Sequence, residues 1–284
     1  PKMGDQWHLD AARVKEAWAY LEENDLPAGG SESIVVAVID TGVDYNHPDL
    51  AANMWVNTQE IPGNGVDDDN NGFVDDIHGA AVVSESFSHS GDPDDDHGHG
   101  THVAGIIAST GSNGVGGVGV AYNSKIMAIK AAQYSGLLAT ADIAEGIYYA
   151  VDNGAKIINM SFGKAYSPEK HWVDSAVAYA EQKDVLLVHS AGNENYNLDS
   201  ITVFPNANLA AYKKNASSFI TVGASSDTLI TEGNIAADFS NYGKQNVDLF
   251  APGVKIYSTL PGGNTYGNQD GTSMASPIVT GVAA

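Results

Sequence analysis

Short runs of apolar, mostly β-branched residues recur along the chain and alternate with longer amphipathic segments. The first run, residues 33–39, has the sequence Ser-Ile-Val-Val-Ala-Val-Ile. Its continuous apolar character is typical of a strand that is buried on both faces of a parallel sheet. Similar patterns predict further strands at 125–130, 156–160, 185–189, 219–222, 247–250 and 255–258, and helices at 9–23, 101–109, 139–153 and 169–183.

This alternation predicts βαβ units with right-handed crossovers, and hence an α/β fold whose central, mostly parallel sheet is flanked by helices. The chain has 284 residues, of which 43% are hydrophobic and 17% are charged, so it can bury a substantial core. No linker and no internal repeat interrupts the pattern. We therefore expect a single domain over residues 1–284.

The first predicted strand ends in the polar sequence Asp40-Thr41-Gly42. Ligands of open parallel sheets bind at the carboxyl ends of strands, so Asp40 is a candidate site residue. The alternative is an aspartate that only caps a turn. Asp-Thr-Gly also occurs in the aspartic proteases, but their mechanism needs a second such loop. The chain offers none, because Asp227-Thr228 continues with Leu229.

Residues 270–277, Asp-Gly-Thr-Ser-Met-Ala-Ser-Pro, precede a run of small and apolar residues. This pattern predicts a tight turn that leads into a buried helix with Ser273 in its first turn. A serine there lies beside backbone N–H groups that have no partner in the helix, and at the positive end of the helix dipole. That position suits a nucleophile whose attack creates an oxyanion, although an ordinary N-cap serine gives the same pattern.

The composition excludes several classes of protein. The formal net charge is −22 with only 13 lysines and arginines, so nucleic acids and anionic membranes are poor partners. The chain has no cysteine, which excludes both a disulfide framework and a cysteine nucleophile. It contains no apolar run long enough to span a bilayer and no signal peptide.

Three histidines, His97, His99 and His102, lie within six positions at the start of the helix predicted for 101–109. They are consistent with a zinc site. The alternative is one catalytic histidine at the start of a helix, with the other two in structural roles.

An acidic loop at residues 64–76 has the sequence Asn-Gly-Val-Asp-Asp-Asp-Asn-Asn-Gly-Phe-Val-Asp-Asp. Its alternating Asp67, Asp69 and Asn71, followed by Gly72, match the first half of an EF-hand calcium loop. The closing glutamate is absent, but Asp75 or Asp76 can complete the ligand set. The alternative is a solvated acidic loop. The glycine-rich residues 110–121 lack the lysine of a phosphate-binding loop and do not follow a strand.

Asp40, His99 and Ser273 occur in the order Asp, His, Ser, and the sequences around them resemble the subtilisin-like serine proteases. The matching segments are Val38–Gly42, His99–Gly105 and Gly271–Pro277. Ser190-Ala191-Gly192-Asn193-Glu194 is similar to the oxyanion-hole segment of that family, and Asn159–Gly163 to its substrate-pairing strand. The five motifs occur in the same order along the chain as in the family, which makes the resemblance specific. The resemblance covers essentially the whole chain.

The resemblance implies a single-domain, three-layer subtilisin-like fold and a serine endopeptidase. Ser273 would be the nucleophile, His99 its base, Asp40 the residue that orients His99, and Asn193 the side-chain donor of the oxyanion hole. His102 would be structural. The substrate would be a protein or peptide that adds a strand between two segments. The residues implied in substrate binding are Gly136, Leu137, Leu138, Ser161, Phe162 and Gly163, with Ser190, Ala191 and Gly192 lining the pocket for the side chain before the scissile bond.

Within that pocket, Val203 would narrow the floor and Glu194 would lie at the rim. The resemblance also implies structural Ca²⁺. Asp49 and Asn113 match side-chain ligands of the family, and Gly111, Val115 and Gly117 would supply backbone carbonyls. Asp5 or Gln6 is a candidate for one more ligand. Further expectations are secretion, a monomeric state, and a propeptide or proteinaceous inhibitor as a possible partner.

Two features depart from the family pattern. The segment 195–218 is longer than usual, and the chain ends at Ala284, where the family normally continues. We therefore expect a catalytic domain that lacks its C-terminal end. Three other functions stay open: an inactive binding module with a subtilisin-like fold, a processing protease or peptide cyclase, and a zinc hydrolase built on the three histidines.

Overall fold

A computed structural model describes residues 3–83, 91–132, 138–228 and 233–284. Within these ranges, seven parallel strands form one sheet: β1 (Val35–Asp40), β2 (Gly79–Ala81), β3 (Lys125–Lys130), β4 (Ile157–Met160), β5 (Leu186–Ser190), β8 (Phe219–Ser225) and β9 (Leu249–Pro252). Their order across the sheet is β2-β3-β1-β4-β5-β8-β9, and every pairing between neighbours is parallel. The remaining strands form two antiparallel pairs, β6 (Asn208–Leu209) with β7 (Lys214–Asn215), and β10 (Ile256–Leu260) with β11 (Thr265–Gln269).

Helices cover both faces of this sheet. They are α1 (Trp7–Ala11), α2 (Val14–Glu23), α3 (His99–Ala108), α4 (Thr140–Asp152), α5 (Lys170–Gln182) and α6 (Thr272–Ala283). The apolar residues of α4 and α5 belong to one core cluster and those of α1, α3 and α6 to another. Strand β1 contributes Ala37 and Ile39 to the first cluster and Val36 and Val38 to the second, since successive side chains of a strand point to opposite faces. The result is the three-layer α/β fold that the sequence predicted.

The N-terminal helix is the main error of the sequence-based prediction. The pattern predicted one helix over 9–23, whereas the structure has α1 and α2 separated at Arg13, whose φ of 57° lies in the left-handed region. This break allows Leu9 and Val14 to be buried together in the same core cluster. Strand β11 was not predicted either. Its sequence Thr-Tyr-Gly-Asn-Gln has little β-propensity, and it forms through its pairing with β10.

The carboxyl ends of β1, β4 and β5 lie side by side, because these strands are parallel neighbours. The amino ends of α3 and α6 reach the same edge: α3 begins at His99, and Ser273 is the second residue of α6. Five sequence motifs that are far apart along the chain therefore converge at one edge of the sheet. No helix of the described residues is long and apolar enough to cross a bilayer.

Candidate active site

Asp40 and His99 form a direct hydrogen bond at the carboxyl end of β1. The distance from His99 Nδ1 to Asp40 Oδ1 is 2.7 Å, and the same Asp40 oxygen accepts the Thr41 backbone N–H at 2.8 Å. Only 3% of Asp40 is exposed. The close approach of α3 depends on Gly100, because a Cβ atom there would lie 2.0 Å from the Gly42 carbonyl oxygen. The contact fixes the imidazole so that Nε2 is the ring nitrogen left for chemistry.

The pKa of His99 is raised above its usual value, although burial by itself lowers it. The negative charge of Asp40 and the hydrogen bond to Asp40 outweigh the effect of burial, and the charge of Asp95 adds to them. Asp95 is itself buried and accepts hydrogen bonds from the backbone and side chain of Thr101, so its charge is held close to the helix that carries His99. The surroundings of His99 thus favour its imidazolium form, as the role of a general base would require.

Ser273 lies at the start of α6, and its side chain faces the same cleft as His99. Its hydroxyl donates to the backbone carbonyl of Ser161 at 2.9 Å, and the Ser161 hydroxyl donates back to the Ser273 carbonyl, also at 2.9 Å. In this conformation the proton of Ser273 is not directed at His99.

Asn193 follows β5 and is oriented by Thr272. Its side-chain carbonyl oxygen accepts the Thr272 backbone N–H at 2.9 Å and the Thr272 hydroxyl at 3.0 Å. The Thr272 hydroxyl in turn accepts the Gly192 backbone N–H at 3.0 Å. Both contacts of Asn193 use its oxygen, so its N–H₂ group is the part available to a developing oxyanion in the cleft.

A buried polar network joins α6, the helix that carries Ser273, to β4. Asn159 donates to the Ser161 hydroxyl at 2.9 Å and accepts hydrogen bonds from Ser276 and Thr280 at 3.0 and 2.9 Å. Asn159, Ser276 and Thr280 are each 0% exposed. Because buried polar groups are costly when unpaired, this network fixes the position of α6 relative to the strand that would pair with a substrate.

The cleft has a volume of about 410 Å³, and most of the predicted site residues line it. They are Asp40, His99, Asn193, Ser273, Leu138, Ser161, Phe162, Gly163, Ser190 and Gly192. Ala191 is different: it is buried and lines a separate cavity behind the cleft, since successive residues at a strand end face opposite sides. Gly136 and Leu137 lie outside the described residues.

Sequence reasoning missed some residues of the cleft. Thr41 donates to Asp95 at 2.9 Å and accepts the Gly100 backbone N–H at 2.9 Å, so it connects the aspartate and histidine segments. Thr41 and Thr272 both lie inside the recognised motifs. Their hydroxyl groups were the sequence feature that could have indicated these hydrogen bonds. Lys164 and Tyr196 also line the cleft. Both residues follow a recognised motif in the sequence. Only the folded chain shows that their side chains line the cleft.

The three histidines do not converge on one point. His102 is fully buried and contacts the Gly267 carbonyl at 3.1 Å, and burial lowers its pKa to about 4. His97 and His99 have ring centroids 6.5 Å apart. Among the described residues, the group of side chains with metal-ligand geometry contains Glu60, Asp67 and Asp69 and no histidine. The zinc-hydrolase alternative therefore has no support in this geometry.

The predicted calcium ligand Asp49 lies in a cradle of polar groups. It is 0% exposed, and its Oδ1 atom contacts the Asn113 side-chain nitrogen at 2.5 Å. Its Oδ2 atom has no hydrogen-bond partner within the described ranges. A Cβ atom at Gly116 would lie 2.3 Å from that oxygen, and one at Gly117 would lie 2.8 Å from the Gln6 side-chain nitrogen. Burial raises the pKa of Asp49, against the opposing hydrogen bonds from Asn113, Tyr266 and the Gly117 backbone.

The acidic loop brings together only part of the predicted ligand set. Carboxylate oxygens of Glu60, Asp67 and Asp69 lie within 4.8 Å of one another. Asp75 turns away and accepts the backbone N–H groups of residues 63–65. Asp76 is fully buried and accepts hydrogen bonds from Asn57, Asn71 and Tyr149, so it anchors the loop. Asn71 uses its amide nitrogen on Asp69 and Asp76. Glu60 was missed because it lies outside the alternating pattern.

Comparison with known families agrees with this geometry. The model of the subtilase family matches residues 31–284. The chain therefore belongs to the subtilase family, the subtilisin-like serine proteases, which confirms the resemblance that the motifs indicated.

Several curated relatives align over almost the whole chain. The chain is 37% identical over 290 residues to Subtilisin-like protease 1 of Plasmodium falciparum (isolate 3D7). This alignment covers 98% of the chain and 40% of the relative. It is 40% identical to a thermophilic serine proteinase of Bacillus sp. (strain AK1), in an alignment that covers 90% of this chain and 52% of the relative. It is 36% identical to thermitase of Thermoactinomyces vulgaris, with 98% of this chain and 80% of the relative covered. The chain thus spans less than half of the Plasmodium protein.

Two solved structures have the same fold. Proteases from Pseudoalteromonas arctica match with a TM-score of 0.74 and 28% identity, covering 100% of this chain and 84% of the other. A cold-adapted subtilisin-like serine proteinase matches with a TM-score of 0.62 and 30% identity, covering 89% and 75%. These matches confirm the α/β architecture with its central parallel sheet.

Proposed function

We propose that the protein is a serine endopeptidase that hydrolyses peptide bonds through an acyl-enzyme on Ser273. The observation that carries the proposal is the convergence of four groups in one cleft: a nucleophilic serine at a helix start, a histidine, a buried aspartate bonded to it at 2.7 Å, and an oriented asparagine. Membership of the subtilase family supports it. An inactive binding module would not need all four groups in this arrangement.

In the first half-reaction, Ser273 Oγ attacks the carbonyl carbon of the scissile bond while His99 Nε2 takes the hydroxyl proton. Asp40 keeps the imidazole in the required tautomer and stabilises its positive charge. The oxyanion that develops on the substrate receives hydrogen bonds from the Asn193 side chain and the Ser273 backbone N–H. His99 then donates its proton to the leaving amine, the C–N bond breaks, and an acyl-enzyme ester remains on Ser273.

In the second half-reaction, water replaces the leaving amine. His99 takes a proton from this water as it attacks the ester carbonyl, and the same oxyanion donors stabilise the second tetrahedral intermediate. Collapse of that intermediate returns the proton to Ser273 and releases the carboxylate product. The reciprocal hydrogen bonds between Ser161 and Ser273 hold the nucleophile's backbone in place between cycles.

Substrates of the proposed enzyme are extended segments of proteins or peptides. Residues 161–163 line the cleft directly after β4, where an extended peptide can pair with them as an additional strand. The pocket for the side chain before the scissile bond is lined by Ser190, Gly192 and Val203, which favours an uncharged side chain. A propeptide or proteinaceous inhibitor would occupy the same groove.

We further propose that Ca²⁺ stabilises the fold. The residues around Asp49 fit such an ion: a fully buried carboxylate without a counter-charge, a neighbouring Asn113, and the side chain of Gln6 against the same glycine-rich loop. Backbone carbonyls of Gly111, Val115 and Gly117 in that loop would complete the ligand set. Ca²⁺ would supply the positive charge that this buried carboxylate lacks.

A second calcium position is proposed at the acidic loop, where Glu60 joins Asp67 and Asp69. Both proposed positions use oxygen ligands, as Ca²⁺ prefers. Extracellular calcium sites are often tuned to 10⁻⁴–10⁻³ M, so dependence on this ion accords with action outside the cell. We expect the protein to be secreted and monomeric. Sedimentation of the purified protein and its fractionation from the producing cells test these last two expectations.

Labelling with a fluorophosphonate tests the proposed activity. We expect covalent modification at Ser273, no modification of the Ser273→Ala variant, and unchanged labelling immediately after addition of EDTA, since no metal takes part in the chemistry. Product analysis with casein and with one short peptide then separates hydrolysis from peptide ligation. Failure of the native protein to be labelled, or labelling at another residue, would refute the assignment.

A further inference from the structure

A second carboxylate, that of Asp95, is buried beside the active site, and no step of the mechanism proposed above uses it. Asp95 lies four residues before His99, just ahead of α3, and only 6% of it is exposed. It does not line the cleft, so a substrate bound there would not contact it. A carboxylate that is removed from water in this way is costly unless hydrogen bonds compensate for the loss of solvent.

Five hydrogen bonds hold the Asp95 carboxylate. Its Oδ1 atom accepts the backbone N–H of His97 at 3.0 Å, the backbone N–H of Gly98 at 2.8 Å and the hydroxyl of Thr41 at 2.9 Å. Its Oδ2 atom accepts the backbone N–H and the hydroxyl of Thr101, at 2.9 and 2.6 Å. The Thr101 N–H is one of those that a helix leaves without an acceptor at its start. Asp95 therefore fixes the conformation of the chain where α3 begins.

Thr41 connects this carboxylate to the end of β1. Its hydroxyl donates to Asp95 and accepts the Gly100 backbone N–H, in both cases at 2.9 Å. The Thr41 backbone N–H donates at 2.8 Å to Asp40 Oδ1, the same oxygen that lies 2.7 Å from His99 Nδ1. The hydrogen bonds through Thr41 thus join the strand that carries Asp40 to the helix that carries His99.

Two carboxylates and two other histidines surround the His99 imidazole. The charges of Asp40, at the end of β1, and of Asp95, ahead of α3, both raise the pKa of His99 against the effect of burial. The His97 ring centroid lies 6.5 Å from that of His99 on the same segment. His102, further along α3, is neutral near pH 7 because burial lowers its pKa to about 4. Asp95 is therefore a second fixed negative charge near His99.

We propose that Asp95 is a positioning residue of the active site: it holds Thr41 and the start of α3 so that Asp40 and His99 keep their hydrogen bond, and it supplies a second negative charge behind His99. This inference rests on the proposed endopeptidase function. Asp95 acts through Asp40 and His99 and not on the substrate. Its loss should therefore change kcat and the pH dependence of the reaction while KM stays nearly the same.

The central test is Asp95→Asn, with kcat and KM measured for one peptide p-nitroanilide as a function of pH. Asparagine has nearly the same shape, but it lacks the charge and presents an N–H₂ group in place of one accepting oxygen. We expect the acidic limb of kcat/KM to move to lower pH by about one unit, as for the loss of a neighbouring opposite charge. The plateau value of kcat should fall about tenfold, because the imidazole is held less accurately.

The rate of labelling by a fluorophosphonate, measured over the same pH range, provides a second readout. This reagent modifies Ser273 without pairing as a strand in the groove, so its rate reports on Ser273 and His99 and not on peptide binding. The acidic limb of labelling should move together with the limb of kcat/KM. A merely structural role for Asp95 would lower the thermal stability and leave both limbs in place.

Asp96→Asn is the matched control, because it removes the same charge from the next residue. The Asp96 side chain is 51% exposed and pairs with Lys130 at 3.0 Å, so water and this lysine screen its charge. Lys130 also donates to the Asp94 carbonyl at 2.8 Å and stays anchored in the variant. We expect Asp96→Asn to leave kcat and both acidic limbs unchanged.

Substitutions of Thr41 separate the positioning effect from the effect of charge. Thr41→Val removes the hydroxyl that links Asp95 to Gly100 but keeps both carboxylates. We expect it to lower kcat about three- to tenfold with the acidic limb unmoved. Thr41→Ser keeps the hydroxyl and should restore kcat to near the native value. This pair also tests the inference if Asp95→Asn does not fold.

Two results would overturn the inference. One is an acidic limb of Asp95→Asn that coincides with that of the native protein and of Asp96→Asn. The other is a native kcat in Thr41→Val, which would show that the link from Asp95 to β1 does not position the site. Both are read in a protein that hydrolyses peptides and is labelled at Ser273. Absence of hydrolysis and of labelling in the native protein would instead refute the proposed function, and this inference with it.

Discussion

The hydrogen bond from Thr272 to Asn193 is expected to orient the oxyanion donor, and Thr272→Val tests this expectation. Valine has nearly the same shape as threonine but lacks the hydroxyl group. The substitution removes the 3.0 Å bond from Thr272 Oγ1 to Asn193 and leaves the Gly192 N–H without its acceptor at 3.0 Å. The Thr272 backbone N–H, at 2.9 Å from the same Asn193 oxygen, remains in place.

The size of the effect follows from this count of contacts. Loss of two neutral hydrogen bonds lowers the free energy of unfolding by about 2 kcal/mol, at roughly 1 kcal/mol each. One of the two bonds to Asn193 survives, so its amide is loosened and not released, and we expect kcat to fall about three- to tenfold. Removal of the donor itself by Asn193→Ala should lower kcat by ~10²–10³ with little change in KM, the size known for this donor in subtilisin.

A double-mutant cycle on kcat, measured with a single peptide substrate, decides the mechanism. If Thr272 acts through Asn193, Thr272→Val should have almost no further effect on kcat in the Asn193→Ala background. Thermal melting of each variant, done in parallel, reports the stability change separately. An equal loss of kcat in both backgrounds would refute the reasoning, because it would mean that the threonine stabilises the transition state independently of the asparagine.

Three further predictions concern pH and metal. The raised pKa of His99 should place the acidic limb of the kcat/KM profile above the ordinary histidine pKa. Asp40→Asn removes the charge and the hydrogen bond that raise this pKa, so it should move the limb to lower pH, and it should lower kcat about 10⁴-fold. An unmoved limb in a pH–rate titration would argue against His99 as the base. EGTA should lower the melting temperature of the native protein, because bound calcium is expected to stabilise it by about 2.7 kcal/mol at a hundredfold excess of calcium over Kd. Asp49→Asn should reduce this dependence on calcium. Equal melting temperatures of the native protein in calcium and in EGTA would contradict the proposed site. His189 has a folded-state pKa of about 4, below its unfolded value, so its contribution to stability is present above pH 6.5 and is lost as the pH falls towards 4. The melting temperature of His189→Phe should therefore decrease less between pH 7 and 4 than that of the native protein. An identical decrease would show that the pKa of His189 is the same in the folded and unfolded states.

The layered architecture could be predicted because it depends on local patterns. Residues 33–39 form a continuous apolar run since β1 is covered on both faces, and the observed strand at Val35–Asp40 differs from the prediction only at its ends. The helix over 9–23 was wrong for the opposite reason. Nothing in the local sequence indicated the left-handed residue Arg13, which the structure adopts to bury Leu9 and Val14 together.

The chemistry of the site was also visible in the sequence, since Asp40, His99, Asn193 and Ser273 each lie within a distinctive motif. The roles proposed for them follow from residue type, from their order along the chain and from the resemblance of the motifs to the subtilisin-like family. The tertiary structure decided which neighbours hold these groups in place: Thr272 on Asn193, Asp95 near His99, and Asn159 beneath the helix that carries Ser273. Such contacts join residues that are far apart in sequence, and no spacing rule predicts them.

The proposed calcium ligands and the proposed specificity pocket were likewise only partly predictable from the sequence. The alternation of Asp67 and Asp69 predicted an acidic, cation-binding loop, but only the folded loop shows that Glu60 joins them and that Asp76 turns inward. Likewise, the sequence placed Ala191 in the pocket, whereas the structure turns it into the cavity behind Val203. Residue types and local periods determine what chemistry a segment can perform. The direction in which each side chain points depends on long-range packing, which is decided only when the whole chain has folded.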